Sequence, residues 1–307
     1  MYQYALYMKL VSMGREVKFD DINEYRDEKT RPIMLSVFDV TYPRATWDEI
    51  NRYTDGSTHL KDRIRKRFRG KKTNIYKEQG FYDPEVLNKE DVYLDGTFQS
   101  QKYFEDILDD VKKVFSFGPL EDLHLSPSVY EETKNWLTKI QSVNAVGIHL
   151  RRSDSRQDEG RYAGICTPEY YEGAIRYILE REKDAVFFIF SNEPKWVKTI
   201  VRDLVRRLID ESWSREEVKE FQNRFVLVQA NSDITSYLDL ILYSNCRNYI
   251  ISNSSFSWWG SWMCDKADKM IIAPTPWTND ATDEAMYTEG MILINGKGRV
   301  DHRVKGI

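Results

Sequence analysis

The second half of the chain alternates short apolar runs with helical patterns, and this alternation restricts the possible folds more than any other feature of the sequence. The apolar runs cover residues 143–150, 185–190, 224–229, 249–251 and 270–272. The helical patterns between them cover residues 168–181, 194–208, 235–244 and 258–265. Such alternation predicts a parallel sheet with helices on both faces. Ligands bind these sheets at the carboxyl ends of the strands. Residues that bind a ligand are therefore expected directly after Ile148, Phe190, Val228 and Ile251.

The first half of the chain is richer in loops and charges, with helical patterns at residues 4–13, 99–117 and 129–140. A chain of 307 residues is long enough for two domains, each with its own core. We therefore predict an α/β protein with one domain at residues 1–140 and a second at 141–307.

A cationic motif, His149-Leu150-Arg151-Arg152-Ser153-Asp154, follows the first predicted strand of the second half. Side chains alternate between faces in an extended segment. If Leu150 packs inward, His149 and Arg151 face the ligand crevice, and Arg152 is the better partner for Asp154. Guanidinium groups suit a bound diphosphate because their rigid fork matches phosphate oxygens. The alternative interpretation is a surface cluster of ion pairs.

A polar loop at residues 252–257 carries five hydroxyl or amide side chains in six positions and opens a predicted helix at Trp258. Free backbone amides at a helix start favour an anion. We predict that Ser254 and Ser255 contact phosphate. The three tryptophans that follow are predicted to be core residues rather than a ligand stack: Trp258, Trp259 and Trp262.

Asp239 is a lone carboxylate within a strongly apolar helical pattern at residues 237–242. Burial of an unpaired carboxylate is costly, so this side chain needs a partner. A guanine base would satisfy both carboxylate oxygens, because its ring N–H and its exocyclic amine both donate hydrogen bonds. The spacing alone fits an aspartate on the helix surface equally well.

Charge and composition argue against several classes of protein. A net charge of −4 and a pI near 5.8 disfavour a nucleic-acid-binding protein. No apolar run approaches the roughly 20 residues that cross a bilayer. The three cysteines are widely spaced and odd in number, which indicates reduced thiols in a cytoplasm. The four histidines form no metal-ligand pattern, so no metal is expected.

Residues 61–72 form the one strongly basic stretch of the chain. Such a stretch can bind an anionic membrane surface, where lipid-linked glycan acceptors reside. The favoured interpretation from sequence is a solvated helix face.

The cationic motif and the polar loop both resemble signatures of the bacterial α-1,2-fucosyltransferase family. Residues 149–154 resemble the signature that this family shares with the α-1,6- and protein O-fucosyltransferases. Residues 253–260, Asn-Ser-Ser-Phe-Ser-Trp-Trp-Gly, resemble its most specific signature. Further segments that fit the family lie at 96–104, 166–171, 187–196 and 274–277. The resemblance therefore covers nearly the whole chain.

The resemblance implies a GT-B-like fold, in which two Rossmann-like domains face each other across a cleft. Residues 1–140 are then the acceptor-side domain, and residues 141–307 bind GDP-fucose. The resemblance also assigns roles to single residues. Arg151 neutralises the leaving β-phosphate with His149 beside it, Asp239 holds guanine, and Ser255 holds the phosphate. The spacing of sixteen residues between Asp239 and Ser255 matches the α-1,6 relatives. The full set of expected donor-binding residues is Arg151, Arg152, Asp239, Ser254 and Ser255.

The implied activity is that of a galactoside α-1,2-fucosyltransferase, an inverting and metal-independent enzyme. Fucose passes from GDP-β-L-fucose to the terminal galactose of a glycan, which can be lipid-linked. No cofactor is expected, and the absence of an Asp-x-Asp motif fits a transferase that uses arginines instead of a divalent ion. A carboxylate deprotonates the acceptor hydroxyl. Asp154 is the catalytic candidate, and orienting the arginines is its alternative role. The expected location is the cytoplasm or the inner face of the membrane.

The chain departs from the family at its start. Family members begin with a short apolar strand and a Gly-Gly-x-Gly-Asn-Gln turn, whereas residues 1–5 begin inside the segment that follows them. We therefore expect the domain at residues 1–140 to be N-terminally incomplete. Two other functions stay open at this point: another fucosyl linkage, and a non-catalytic remnant that binds GDP or a glycan.

Overall fold

In a computed structural model, the chain divides into two compact units, Met1–Ser116 and Phe117–Ile307. The structure describes residues 1–22, 33–57, 59–151, 159–228, 236–279 and 284–302. Each unit has a buried core of its own, with Val111 fully buried in the first and Phe187 in the second. Parallel strands and helices occur in both units, so the α/β class predicted from the sequence is confirmed.

The first unit contains a small parallel sheet and several short helices. Its helices are α1 (Tyr2–Ser12), α2 (Trp47–Thr54), α3 (Leu60–Arg69) and α4 (Leu108–Val114). The strands β1 (Ile75–Lys77) and β2 (Tyr93–Asp95) pair in parallel. The helix predicted over residues 99–117 is shorter in the structure. Two 3₁₀ turns precede α4, because Ser100 caps the first turn through the Lys102 amide and Phe104, between the turns, has a non-helical φ of −136°.

The second unit is built around one parallel sheet. Its strands are β3 (Ala145–His149), β4 (Val186–Phe190), β5 (Phe225–Leu227), β6 (Asn248–Ile250), β7 (Ile271–Thr275) and β8 (Ile292–Asn295). Its helices are α5 (Pro127–Gln141), α6 (Glu159–Tyr162), α7 (Pro168–Arg181), α8 (Pro194–Leu208), α9 (Arg215–Asn223), α10 (Ser236–Ser244) and α11 (Ser255–Met263). The strand order is β5-β4-β3-β6-β7-β8, which is the order of a Rossmann-like sheet. The Rossmann-like fold predicted for the second domain is therefore confirmed, whereas an arrangement of two such domains across a cleft stays a prediction.

The boundary between the units differs from the predicted boundary at residue 140. It lies between Ser116 and Phe117, so α5 belongs to the second unit. The reason is packing, because α5 contacts α10. The Gln141 side-chain amide also donates a 2.9 Å hydrogen bond to Asn245, directly after α10.

Helices cover both faces of the central strand β3. Val146 and Ile148 pack in one hydrophobic cluster with residues of α7 and α8. The Gly147 backbone lies between them in sequence and faces Tyr243 of α10 on the opposite side. Neighbouring residues of a strand point to opposite faces of the sheet. The packing of Val146, Gly147 and Ile148 therefore determines the face toward which the side chains at the end of β3 point.

The approach of α7 to the turn after β8 requires glycine at two positions. A Cβ atom on Gly173 would lie 2.2 Å from the Gly298 carbonyl oxygen, and Gly298 itself has a φ of +73°. The two backbones therefore touch at a distance that no larger residue permits.

We expect Gly173→Ala to lower the free energy of unfolding by about 1–3 kcal/mol, because backbone atoms must shift to admit the methyl group. Urea unfolding followed by circular dichroism measures this change. Gly160→Ala is the matched control, since a Cβ there has no neighbour within 4 Å. Equal stability of the two variants would contradict the close contact.

Candidate functional site

The candidate site lies where β3 and β6 meet at the carboxyl edge of the sheet. From β3 the chain continues to β4 on one side, and from β6 it continues to β7 on the other. Such a switch in direction opens a crevice, which is the usual ligand site of an open α/β sheet. The ends of the two strands are tied together by a 2.8 Å hydrogen bond between His149 Nδ1 and Ser252 Oγ.

His149 is a buried, uncharged part of this crevice. Its ring lies 4.9 Å from the ring of Phe256, and its backbone carbonyl accepts a 3.0 Å hydrogen bond from the Tyr171 hydroxyl. Burial, together with a smaller contribution from the charge of Arg151, lowers the pKa of His149 to about 3. His149 is therefore neutral near pH 7, so its side chain orients Ser252 and adds no positive charge.

Arg151 reaches across to the polar loop at the start of α11. Its Nη1 donates a 3.1 Å hydrogen bond to Ser254 Oγ. Ser254 is buried and precedes the first turn of α11, and its side chain caps none of the helix amides. The guanidinium group thus lies beside the positive end of the α11 dipole, where both favour an anion. The structure thus brings Arg151 and Ser254, both expected from the sequence to contact a diphosphate, together at one point, while their contact with a ligand stays a prediction.

Asn253 holds the loop in place, a role that the sequence analysis missed. Its Nδ2 donates to the carbonyls of Tyr162 at 3.0 Å and Trp277 at 3.2 Å. Its Oδ1 accepts a 3.4 Å hydrogen bond from the Cys166 thiol. Burial raises the pKa of Cys166 to about 12, so the thiol keeps the proton that it donates. The sequence signal for this role was an amide side chain, Asn253, among the hydroxyl side chains of the loop.

Asp239 occupies the first turn of α10 and is half-buried. The helix runs from the carboxyl edge of the sheet back toward the start of β6, so its first turn lies at the same edge as His149 and Ser252. α10 also packs along α11, the helix that Ser255 opens. Topology therefore places Asp239 at the edge where the sequence predicted it.

The tryptophans of α11 are core residues, as predicted. Trp258, Trp259 and Trp262 are buried. Trp258 Nε1 donates a 2.8 Å hydrogen bond to the Met286 carbonyl. These rings anchor α11 and leave its first turn, with the half-buried Ser255, at the crevice.

Two predicted site residues, Arg152 and Asp154, lie outside the described residues. Within the described ranges, no cluster of three histidine, cysteine or acidic side chains could hold a metal ion. The same part of the chain contains no helix that is long and apolar enough to span a membrane.

Comparisons with known proteins place this site in context. The sequence profile of glycosyl transferase family 11 matches residues 58–295. An α-1,2-colitosyltransferase of Escherichia coli is 32% identical over 184 residues, which are 59% of this chain and 54% of that protein. The O-antigen biosynthesis glycosyltransferase WbnK of Escherichia coli is 26% identical over 219 residues, which are 67% of this chain and 63% of that protein. The chain thus spans between half and two thirds of the length of these relatives.

A solved structure is also similar, at a lower level. The β-Kdo 2,4 transferase KpsC of Thermosulfurimonas dismutans is 12% identical, with a TM-score of 0.25 over 52% of this chain and 50% of that one. This score is too low to bear on the fold.

The low pKa of His149 predicts a specific acid sensitivity. Below its ordinary pKa of 6.5 the histidine takes up a proton in the unfolded state, whereas in the folded state it stays neutral until about pH 3. Stability therefore falls with decreasing pH in this window, by up to about 1.4 kcal/mol per pH unit. We expect His149→Asn to reduce the loss between pH 6.5 and 4.5 by about 2 kcal/mol. Urea unfolding of the parent and of the variant at each pH measures the free energy of unfolding from which this difference follows.

His124→Asn is the matched control, because His124 is exposed and its left-handed backbone conformation accepts asparagine. Its pH dependence should follow the parent. If His149→Asn also follows the parent, the histidine is charged in the folded protein and the account of the site is wrong.

Proposed function

Since this chain belongs to glycosyl transferase family 11, we propose that it transfers fucose from GDP-β-L-fucose to the terminal galactose of a glycan in α-1,2 linkage. Membership of the family confirms the resemblance predicted from the motifs. The observation that carries the proposal is the contact of Arg151 with Ser254 at the start of α11, beside the switch point of the sheet. A relative named for O-antigen biosynthesis supports a polysaccharide or oligosaccharide as the acceptor.

The site's electrostatics fit a departing nucleoside diphosphate. As the bond between the fucose C1 and the β-phosphate oxygen breaks, negative charge grows on GDP. The Arg151 guanidinium and the amides of the first turn of α11 stabilise this charge, and such fixed donors supply a large share of barrier lowering. His149 stays neutral and holds Ser252, so it positions the loop without competing for the phosphate.

The other predicted site residues take part in a single displacement that inverts the fucose anomeric carbon. The Asp239 carboxylate accepts hydrogen bonds from the ring N–H and the amine of guanine. Arg152, Ser254 and Ser255 contribute to the diphosphate site. A carboxylate takes the proton of the acceptor hydroxyl as that oxygen attacks C1 from the face opposite GDP, and Asp154 is our candidate for this base. No metal ion or other cofactor takes part.

A second donor deserves equal testing, because one relative is named an α-1,2-colitosyltransferase. A colitosyl nucleotide donor would use the same diphosphate and base contacts and would differ only at the sugar. Comparison of the two donors with one acceptor decides between these activities.

Arg151→Ala should lower kcat for GDP release by about 10²–10³-fold, because it removes a donor that acts on the departing phosphate. The assay uses GDP-fucose with lactose and related galactosides, in the presence of EDTA. Arg202→Ala is the control, since Arg202 is an exposed arginine on α8 and should leave turnover unchanged.

Each other outcome of this assay has a definite meaning. Loss of the parent's turnover on addition of EDTA would contradict metal independence. GDP binding by the parent without turnover on any galactoside would favour the non-catalytic alternative. Equal turnover of Arg151→Ala and the parent would remove Arg151 from the diphosphate site.

Asp239→Ala should abolish discrimination between GDP and inosine diphosphate, which lacks the exocyclic amine of guanine. The parent should bind GDP at least about tenfold more tightly, because a hydrogen bond to a charged acceptor contributes about 1.5–3 kcal/mol. Titration calorimetry with both nucleotides measures the two affinities. Asp203→Ala, at an exposed aspartate on α8, should keep the parent's preference. Full discrimination by Asp239→Ala would show that this carboxylate does not hold the base.

A further inference from the structure

Helix α3 exposes an apolar stripe to solvent. Leu60, Ile64 and Phe68 are the most exposed large apolar side chains in the described part of the chain, at 71%, 51% and 81%. They follow one another at intervals of four residues, so they form one continuous row along the helix. Single exposed apolar residues are ordinary on a protein surface, but a row of three on one short helix indicates a binding surface.

The opposite side of α3 is polar and is fastened to the protein. Arg65 donates a hydrogen bond to the buried carboxylate of Asp55. Lys66 Nζ donates to the Ser57 carbonyl at 2.6 Å, and Ser57 Oγ donates to Asp62 at 2.6 Å. A surface helix normally turns its apolar face to the core and its polar face to water. In α3 the apolar face points to water and the polar face points to the protein, and these three hydrogen bonds stabilise that orientation.

Cations border the apolar stripe on both sides. At about 100° per residue, Lys61 lies on one side of the row and Arg63 and Arg67 lie on the other. All three are exposed. Lys71 and Lys72 follow the helix and are exposed as well. The outward face of α3 thus combines an apolar centre with cationic edges, although the whole chain carries a net charge of −4.

We propose that α3 docks the protein on the surface of an anionic lipid bilayer. The helix lies in the plane of the membrane, with the apolar stripe at the boundary between headgroups and acyl chains and the bordering cations on lipid phosphates. This is the arrangement that basic amphipathic helices adopt at membrane surfaces. Ten residues give α3 a length of about 15 Å, which suits a surface contact.

Charge favours a lipid surface over a second copy of the chain as the occupant. The α3 sequence Leu-Lys-Asp-Arg-Ile-Arg-Lys-Arg-Phe-Arg contains six basic residues and one acidic residue. Two copies that met through their stripes would bring these like charges together at close range. Lipid phosphates instead neutralise them. This proposal is independent of the reaction that the protein catalyses.

Sedimentation of the full chain with extruded vesicles tests the proposal. The vesicles contain either phosphatidylcholine alone or phosphatidylcholine with about 30% phosphatidylglycerol, a strongly anionic surface. We expect the parent to bind the anionic vesicles and to bind the neutral ones at least about tenfold more weakly. Higher salt should weaken binding to the anionic vesicles, since it screens the cations.

Two sets of variants separate the apolar and the cationic contributions. Replacement of Leu60, Ile64 and Phe68 by serine should reduce binding by roughly tenfold or more, because the buried apolar area is lost. Each of Lys61→Gln and Arg63→Gln should reduce it by about fivefold. These positions are exposed, so thermal melting of the variants should match the parent.

Matched controls change similar residues elsewhere. Val143→Ser removes another exposed apolar side chain, and Arg206→Gln removes an exposed arginine from α8. Both should bind vesicles as the parent does.

Several results would overturn the proposal. These are failure of the parent to bind anionic vesicles, equal binding to neutral vesicles, and unchanged binding of the triple serine variant. A dimer in sedimentation velocity that the triple serine variant loses, together with no vesicle binding, would assign the stripe to a second copy instead.

Discussion

Tyr243 lies between a strand and a helix that can approach it closely only because both present glycine. A Cβ atom at Gly147 of β3 would lie 2.9 Å from its ring, and one at Gly260 of α11 would lie 2.5 Å from it. The tyrosine is fully buried, and its ring also contacts Phe190 edge-on at 5.1 Å. This packing sets the separation of β3 from α11. The reach of Arg151 to the start of α11 depends on it.

In this site, one side chain carries the positive charge and others position the polar loop. Arg151 carries the positive charge at the start of α11, and His149 beside it is kept neutral by burial. A protonated imidazole in the same crevice would repel the Arg151 guanidinium, whereas the neutral ring of His149 does not oppose its contact with an anion. Asn253 fixes the loop through backbone carbonyls, so the hydroxyl of Ser254 is positioned before any ligand binds. Such preorganisation is what electrostatic catalysis requires.

Much of the second unit could be predicted from the sequence, because buried parallel strands and their helices have distinct periodicities. The predicted helices at 168–181 and 194–208 match α7 and α8. The strand β8 and the helix α9 were missed, although Ser214 and Glu217 form a capping box at the start of α9. The first unit was harder to predict, since side-chain hydrogen bonds such as those of Asp55 determine its loops and sequence periodicity does not reveal them. The outward orientation of α3 depends on the same contacts.

A crystal structure of the full chain with GDP tests the central claim most directly. We expect the β-phosphate to lie within hydrogen-bonding distance, roughly 3 Å, of the Arg151 guanidinium and of the first amides of α11. We also expect the guanine base to contact Asp239. A diphosphate bound at another edge of the sheet, or one that leaves Arg151 in contact with Ser254 alone, would contradict it.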